Sequence, residues 1–453
     1  MARHKMTWLK KLWRKISGEL RWFIPGVGVK RWILAILTGV TLLAIGLAYF
    51  LLDIYRTAPD TWWLPAISAV ALRFLDRPLR ILIYGGVGVG LIIWGFYGLN
   101  HALLKPFMKP GSHVLDTVTA YRRRERGPRI VVIGGGTGLS TLLRGLKNHT
   151  NNLTAIVTVA DDGGSSGELR KSIGILPPGD IRSCLTALSD DEELLSQVFQ
   201  YRFGEGAGLN GHSFGNLFIT ALTEITGSFE EAVAESGRVL ATRGRVLPAT
   251  LHDVRLAADI EDVEAQKPIH VKGESQIPRA HGQIKRIWLE PDNPLAFPPA
   301  IQSILAADLI LVGPGSLYTS ILPNLLVPDL AQAVRMSRAL KFYICNVATQ
   351  TGETEGFTAL KHVKTIEKHI GENIFDLMLC NDNTSPSLPE GTFWVEADDE
   401  LRARYAVYTS DQIDPQIPWR HHSGKLAQAV MDLYLERTGP LINKETVELN
   451  SYN

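Results

Sequence analysis

The sequence predicts an α/β protein with a Rossmann-like, doubly wound, mostly parallel sheet, a β-rich insertion and two preceding transmembrane helices. From Pro128 onward, short β-branched runs alternate with segments whose leucines recur at helical spacing, which is typical of a parallel sheet with crossover helices. Two of these runs end in glycine-rich turns that lead straight into a helix. Two long uncharged stretches lie ahead of them, each long enough to cross a bilayer.

The composition indicates an ordinary globular protein and gives no sign of a nucleic-acid-binding, disulfide-rich or zinc-binding protein. The chain has 453 residues, of which 45% are hydrophobic and 21% charged, which is ordinary for a globular protein of two or three domains. The net charge of +1 gives no argument for a nucleic-acid partner, and we predict none. The three cysteines, Cys184, Cys345 and Cys380, are too widely spaced to indicate a disulfide framework or a zinc site.

The amino-terminal third predicts a membrane anchor. Residues 1–32 form a basic cytoplasmic segment in which lysines and arginines alternate with tryptophans, as in segments that seek a lipid surface. Residues 33–104 are predicted to form a transmembrane hairpin. Its first span, residues 33–52, carries no charge and would be about 30 Å long as a helix. A cleaved signal peptide is the alternative, but the stretch is long and no A-x-A-like site follows it.

The second span of the hairpin is predicted at residues 81–99, where Gly86 and Gly90 have the G-x-x-x-G spacing. This stretch either packs tightly on the first span or forms a dimer face, and a buried core helix is a weaker alternative. The loop between the spans is poorer in Lys and Arg than the flanks, so the positive-inside rule places both ends in the cytoplasm. We therefore expect a multi-pass plasma (inner) membrane protein with its main domain, residues 128–440, in the cytoplasm.

A linker, residues 105–127, would join the hairpin to that domain. Its arginine run either lies against anionic lipid or is simply solvated.

A glycine turn follows the first core strand, residues 130–133, and opens a helix that begins around Leu139. Backbone N–H groups in such a turn can converge on a phosphate at the helix amino terminus. The glycines fall as G-x-G-x-G rather than as the dinucleotide fingerprint, which favours a nucleotide phosphate over NAD. A purely structural turn is the alternative. The candidate ligand-binding residues are Gly134, Gly135, Gly136, Thr137 and Gly138.

An acidic run ends the second strand, residues 153–160, where a contact to a ribose hydroxyl is expected. Two adjacent carboxylates at the end of a buried strand are costly without a partner, although a flexible surface loop would look similar. The glycines and serines that follow add free N–H groups and hydroxyls. The candidates are Asp161, Asp162, Gly163, Gly164, Ser165 and Ser166.

Two further loops each lead into a helix. The turn at residues 176–182 presents Asp180 and Arg182, which either reach a phosphate or cap the helix. The loop at residues 210–216 is unusually dense in polar groups, and its histidine is equally well explained as a structural hydrogen bonder. Its candidates are Asn210, His212, Ser213 and Asn216.

Residues from about 245 to 291 change to short β-like runs, which indicates the β-rich insertion. It contributes the further candidates His252, Asp253, Glu274 and Ser275.

A buried strand then ends in a second glycine loop at residues 313–316. Ligands of open α/β sheets bind outside the carboxyl ends of the strands, so this loop is predicted to face the first glycine turn across one crevice. Its candidates are Gly313, Gly315, Ser316 and Tyr318.

Five motifs in order carry a family resemblance: Gly134-Gly-Gly-Thr-Gly-Leu139, Ala160-Asp-Asp-Gly-Gly-Ser-Ser-Gly167, Pro177-Pro-Gly-Asp180, Gly211-His-Ser-Phe-Gly-Asn216 and Gly313-Pro-Gly-Ser-Leu-Tyr-Thr-Ser320. The sequence closely resembles the gluconeogenesis factor family known as YvcK, which is similar in turn to the CofD transferases. The resemblance implies a CofD/YvcK-like nucleotide-binding domain at residues 128–440 that binds a UDP-sugar such as UDP-N-acetylglucosamine. It implies a role in cell shape and envelope synthesis during gluconeogenic growth, with envelope-synthesis proteins as partners.

The resemblance also implies roles for the candidates. Residues 134–138 and 313–316 would hold the diphosphate, Asp161 and Asp162 the ribose or a divalent ion such as Mg²⁺, and residues 210–216 the sugar. No reaction is firmly attached to the YvcK branch, so we expect a sensor of the nucleotide sugar rather than an enzyme, without an assigned catalytic residue or metal.

A CofD-like transferase acting on a nucleotide-diphosphate substrate with Mg²⁺ is the alternative, with His212 as acid or base. An NAD-dependent oxidoreductase is disfavoured by the incomplete fingerprint. A homodimer is left open.

Overall fold

The computed structural model describes residues 124–439 except 191, 205–207, 262–267 and 281, together with scattered residues between 37 and 94. The chain divides into two compact units, residues 1–122 and residues 123–453. The predicted basic segment lies outside the described residues, as do nearly all of the linker, most of the first predicted span and part of the second. Among the described residues, no helix combines the length and apolar content that crossing a membrane requires.

The second unit contains the α/β domain. Its described strands, numbered in chain order, are β1 (Ile130–Gly134), β2 (Leu153–Val157), β3 (Arg245–Pro248), β4 (Arg255–Glu261), β5 (Pro268–Lys272), β6 (Gln283–Glu290), β7 (Leu309–Val312), β8 (Leu340–Ile344), β9 (Leu377–Asn381) and β10 (Val407–Ser410). Its described helices are α1 (Gly136–Leu146), α2 (Gly164–Ile173), α3 (Gly179–Leu188), α4 (Glu192–Gln200), α5 (Phe214–Thr226), α6 (Phe229–Val239), α7 (Pro298–Leu305), α8 (Leu322–Leu325), α9 (Pro328–Met336), α10 (Ala359–Ile370), α11 (Asp399–Arg404) and α12 (Ser423–Thr438).

Seven strands form one sheet in the order β10-β9-β8-β7-β1-β2-β3, and every pairing in it is parallel. Every residue of β1, β2, β7 and β9 is buried. Continuous apolar strands are expected where helices cover both faces of a parallel sheet. The predicted α/β class with a mostly parallel sheet is confirmed.

The strand order reverses at β1. From β1 the chain adds β2 and β3 on one side, and it later returns to place β7, β8, β9 and β10 on the other. Two neighbouring strands whose connections leave in opposite directions open a crevice at their carboxyl ends. This crevice lies between the ends of β1 and β7.

The insertion is a separate three-stranded antiparallel sheet with the order β5-β4-β6. The predicted start at about residue 245 is too early, because β3 pairs with β2 in the main sheet, with Thr154 opposite Arg245. The four residues of β3 are too short to show from sequence which sheet they join. Strands β5 and β6 form the two edges of the small sheet.

Helix α1 is fixed between the sheet and α12. Its leucines, Leu139, Leu142, Leu143 and Leu146, are fully buried. On its other side, Gly145 lies against the first residues of α12, so a Cβ there would collide with the Ser423 carbonyl and come within 2.6 Å of the Ala427 Cβ. The glycine turn that precedes α1 therefore depends on this helix contact for its position.

We predict that Gly145→Ala destabilises the domain by about 1–3 kcal/mol, because an added methyl group overpacks two helices that cannot separate freely. Urea unfolding of the full chain measures the change. Gly204→Ala is the matched control, since no atom lies within 4 Å of a Cβ built at Gly204. Equal midpoints for the two variants would show that the α1–α12 contact is loose.

Candidate functional site

The two glycine loops lie against each other at the carboxyl ends of β1 and β7. We call residues 134–138 the glycine turn and residues 313–316 the proline loop. A Cβ at Gly138 would lie 2.6 Å from the Pro314 carbonyl oxygen, and one at Gly315 would lie 3.4 Å from the Gly135 carbonyl oxygen. The two loops predicted to share a crevice thus approach more closely than most side chains would permit.

The glycine turn exposes the amino terminus of α1. Strand β1 ends at Gly134 and α1 begins at Gly136, whose φ of 63° favours glycine. Gly135 at the N-cap position has no side chain to cap the helix, and Thr137 is exposed. The first N–H groups of a helix have no partner within the helix. They can therefore donate to an anion in the crevice.

Buried amides hold both loops in place. Asn324, fully buried, donates from Nδ2 to the carbonyl oxygens of Gly134 at 2.9 Å and Ser320 at 2.7 Å. Asn346 forms two hydrogen bonds with the Gly315 backbone, at 3.0 and 2.8 Å. Gln350 donates to Ser316 Oγ at 2.8 Å. Sequence reasoning missed these amides, although Asn346 and Gln350 directly follow the end of β8.

Tyr318 is placed differently from its loop neighbours. Its side chain is only 3% exposed and packs edge-on against Phe357, with ring centroids 6.4 Å apart. The structure therefore places Tyr318 in the core, whereas Gly313, Gly315 and Ser316 form the proline loop itself.

Asp161 and Asp162 each accept a hydrogen bond from a backbone N–H group. Asp161 accepts a hydrogen bond from the Gly163 N–H at 2.8 Å, and Asp162 accepts one from the Ser275 N–H at 2.8 Å. Ser275 belongs to the turn between β5 and β6, so the insertion closes over the end of β2. Two further candidates lie outside this contact: His252 is exposed, and Asp253 forms an ion pair with Arg170.

Asp180 reaches the glycine turn rather than capping its own helix. It accepts a hydrogen bond from the Gly136 N–H, and a Cβ at Gly135 would lie 2.5 Å from Asp180 Oδ2. Burial, and then the nearby Asp161 charge, raises the pKa of Asp180 to about 6. Arg182 lies two residues after Asp180 and is half-buried. Burial, and then the charge of Arg202, lowers the pKa of Arg182. Within the described residues Arg182 forms no ion pair, and its Nε has no hydrogen-bond partner.

Five carboxyl groups interact around the crevice, and we call them the acidic group: Asp161, Asp162, Asp180, Glu274 and Glu353. Burial, followed by the charges of Asp161 and Asp180, raises the pKa of Glu274 to about 8. Burial raises the pKa of Glu353 to about 7 and is also the main cause of a raised pKa at Asp161. Glu274 and Glu353 therefore retain protons near neutral pH.

Over the part of the chain that is described, no group of three or more His, Cys, Asp or Glu side chains is arranged to hold a metal ion. No chemical step is assigned to Mg²⁺.

A hydrogen-bonded chain links α2 to the polar loop before α5. Asn216 Nδ2 donates to Ser165 Oγ at 3.0 Å, and Ser165 Oγ is hydrogen-bonded to His212 Nδ1 at 3.1 Å. His212 Nε2 lies 3.2 Å from Glu168 Oε2. This chain places a serine hydroxyl beside a histidine whose other ring nitrogen faces a carboxylate. It was not visible in the sequence, because Ser165 and His212 lie far apart along the chain.

The other candidate residues of the acidic run and of the polar loop before α5 take positions outside this hydrogen-bonded chain. Ser213 caps α5 by accepting from the Asn216 N–H at 3.3 Å, and Ser166 Oγ accepts from the Gly179 N–H at 3.1 Å. Gly163 caps α2 and Gly164 is exposed with a φ of 47°. Asn210 is exposed at the tip of its turn, away from the buried cluster.

We predict that the stability of the domain falls as pH rises from about 5 to about 8. Free carboxyl groups ionise near pH 4. The raised pKa values of Asp180, Glu353 and Glu274 mean that the folded chain holds these protons more tightly than the unfolded chain, so stability is lost as they leave.

Urea midpoints across this pH range measure the effect. Glu274→Gln should flatten the upper part of the decline, whereas Glu224→Gln, at an exposed site on α5, should leave the profile unchanged. A pH profile of Glu274→Gln that matches the wild-type profile would contradict the burial of this charge.

Known proteins resemble this chain over the region that contains the α/β domain. The family described as 2-phospho-L-lactate transferase CofD matches residues 130–410. The gluconeogenesis factor of Bacillus subtilis is 48% identical over 318 residues, which cover 68% of this chain and 99% of that protein. The gluconeogenesis factor of Listeria monocytogenes is 43% identical over 323 residues, covering 70% of this chain and 98% of that protein.

One relative and one solved structure extend the comparison. A Nostoc protein is 49% identical over 383 residues, which cover 82% of this chain and 81% of that protein. The crystal structure of a UPF0052 family protein from Bacillus halodurans superposes with a TM-score of 0.62 at 44% identity, over 67% of this chain and 99% of that one.

Proposed function

Because this chain belongs to the CofD-like family of gluconeogenesis factors, we propose that its crevice binds a nucleotide sugar of the UDP-N-acetylglucosamine type and that the protein acts as a regulator. The observation that carries the proposal is the meeting of the glycine turn and the proline loop at the ends of β1 and β7. Of the N–H groups at the start of α1, the first, that of Gly136, donates to Asp180, and the next, those of Thr137 and Gly138, are suited to a diphosphate.

The surroundings of the turn support the same ligand. Arg182 is a half-buried cation without an ion pair among the described residues, two residues after Asp180, which contacts the glycine turn. The carboxyl groups of Asp161 and Asp162 are available to ribose hydroxyls, and the cluster of Ser165, His212 and Asn216 can hydrogen-bond a sugar. A regulator needs only a difference in affinity between two states, and no reaction.

The setting of the domain is part of the proposal. Residues 33–52 and 81–99 are proposed as a membrane hairpin that holds the domain at the cytoplasmic face of the plasma membrane, on the hydropathy and charge pattern of the sequence. The ligand-bound state would then act on envelope-synthesis proteins, in keeping with the family's part in gluconeogenic growth.

A transferase acting on a nucleotide-diphosphate substrate is the second candidate. The chain Glu168–His212–Ser165 favours it, because a serine hydrogen-bonded to a histidine that also faces a carboxylate can be activated as a nucleophile or can relay a proton.

We predict that Gly138→Ala weakens UDP-N-acetylglucosamine binding at least about tenfold, or roughly 1.4 kcal/mol. The new methyl group would meet the Pro314 carbonyl and push the two loops apart. Calorimetric titration of the full chain measures the affinity, with Gly204→Ala as control. Binding of Gly138→Ala within a factor of about two of wild type would place the ligand elsewhere.

We predict that Ser165→Ala separates the two functions. If the protein only binds, this variant loses part of its affinity and purified wild-type protein leaves UDP-N-acetylglucosamine intact over long incubation. Chromatography of the nucleotide pool measures this. Release of UDP by wild type that is abolished in Ser165→Ala, with binding retained, would instead establish the transferase.

A further inference from the structure

A second concavity lies away from the crevice, along the free edge of β6. It has a volume of about 860 Å³ and is lined by β6, by α8 and α9, and by the last turn of α10. We call it the edge cleft. Helices α9 and α10 lead into the starts of β8 and β9, so their last turns lie at the amino ends of the parallel strands. The crevice lies at the carboxyl ends, which makes the edge cleft a separate site.

One wall of the edge cleft is cationic. It is lined by Lys285 and Arg286 of β6, Arg335 of α9 and Lys368 of α10, whereas Asp292 is the one carboxylate among its lining residues. Lys285 forms an ion pair with Glu261 at 2.6 Å. Among the described residues, the other three have no carboxylate partner. Cations held together by separate elements repel one another, and an anion bound between them removes that cost.

The cationic wall is held in position by contacts across the cleft. Lys368 Nζ donates to the Lys285 carbonyl at 3.0 Å, and His369 Nε2 accepts from the Ile287 N–H at 3.2 Å. His369 Nδ1 donates to the Thr365 carbonyl at 2.8 Å, so both ring nitrogens are occupied. The Arg335 guanidinium lies over Gly371, where any side chain would displace it. The groups are therefore largely arranged before a ligand arrives.

The rest of the lining includes apolar side chains, which we call the apolar wall: Leu325, Leu326, Pro328, Ala331 and Ile370. Ala331 and Ile370 lie on the same helices as Arg335 and Lys368, so cationic and apolar groups are close together. A cleft lined by both kinds of side chain fits a ligand that carries an anionic group on an organic part. Its volume lies within the range typical of sites for small organic molecules, about 300–1,000 Å³.

We propose that the edge cleft binds a phosphorylated organic molecule, with the phosphate on Arg286, Arg335 and Lys368 and the organic part along Leu326, Ala331 and Ile370. The phosphate belongs either to a nucleotide or to a lipid headgroup, which share the same chemistry. The ligand joins the insertion, through β6, to α9 and α10 of the main domain. This site is independent of the ligand proposed for the crevice.

The test is calorimetric titration of the full chain carrying Gly138→Ala, in which the crevice is disturbed and the edge cleft is intact. The probes are inorganic phosphate, adenosine monophosphate and short-chain phosphatidic acid below its micellar concentration. We expect one of the two organic phosphates to bind at least about tenfold more tightly than inorganic phosphate, because only it also covers the apolar wall. Whichever binds identifies the source.

Variants then locate the binding. Arg335→Ala combined with Lys368→Ala should weaken the bound probe at least about tenfold, and Arg335→Gln alone provides a milder variant in case the double substitution unfolds. Lys364→Ala is the matched control, because Lys364 lies on the same helix but pairs with Glu400 outside the edge cleft. Unchanged affinity in the Arg335 variants, or no preference for an organic phosphate, would overturn the proposal.

Discussion

The contact between Gly138 and Pro314 is the constraint on which the candidate site depends. Because β1 and β7 are neighbours whose connections leave in opposite directions, their loops must meet, and only glycine permits the approach that is seen. Asn324 then ties Gly134 to Ser320, and Asn346 holds Gly315 from the next strand. Three segments distant in sequence, residues 134–138, 314–324 and 346, thus fix one short length of backbone, which presents N–H groups to the crevice.

The acidic group gives this site its electrostatic character. A helix amino terminus favours an anion, yet Asp180 lies beside it, and Glu274 of the insertion interacts with the Asp180 charge. With pKa values raised by burial, these groups stay partly protonated near neutral pH and act as donors as well as acceptors. An anionic ligand is therefore favoured at lower pH, where the competing negative charge is smaller.

The sequence alone predicts those features of the fold that depend on local sequence pattern. The buried strands, the glycine turn into α1 and the meeting of the two loops follow from periodicity and from the rule for open α/β sheets. The sequence does not predict features that depend on contacts between residues distant in the chain. Asn324 and Asn346 carry no local signature, the chain through Ser165, His212 and Glu168 joins two segments distant in sequence, and the core position of Tyr318 depends on Phe357. The short strand β3 lies at the predicted start of the insertion, yet it joins the main sheet through a non-local pairing with β2.

The central claim is that the crevice is built for a uridine-diphosphate sugar. Its most direct test is calorimetric titration of the unmodified full chain with UDP-N-acetylglucosamine, GDP and NAD, each with and without Mg²⁺. The account predicts binding of the UDP-sugar in the micromolar range, about 8 kcal/mol, with or without Mg²⁺ and with no comparable binding of the other two. Preference for GDP that requires Mg²⁺ would contradict it and favour the transferase.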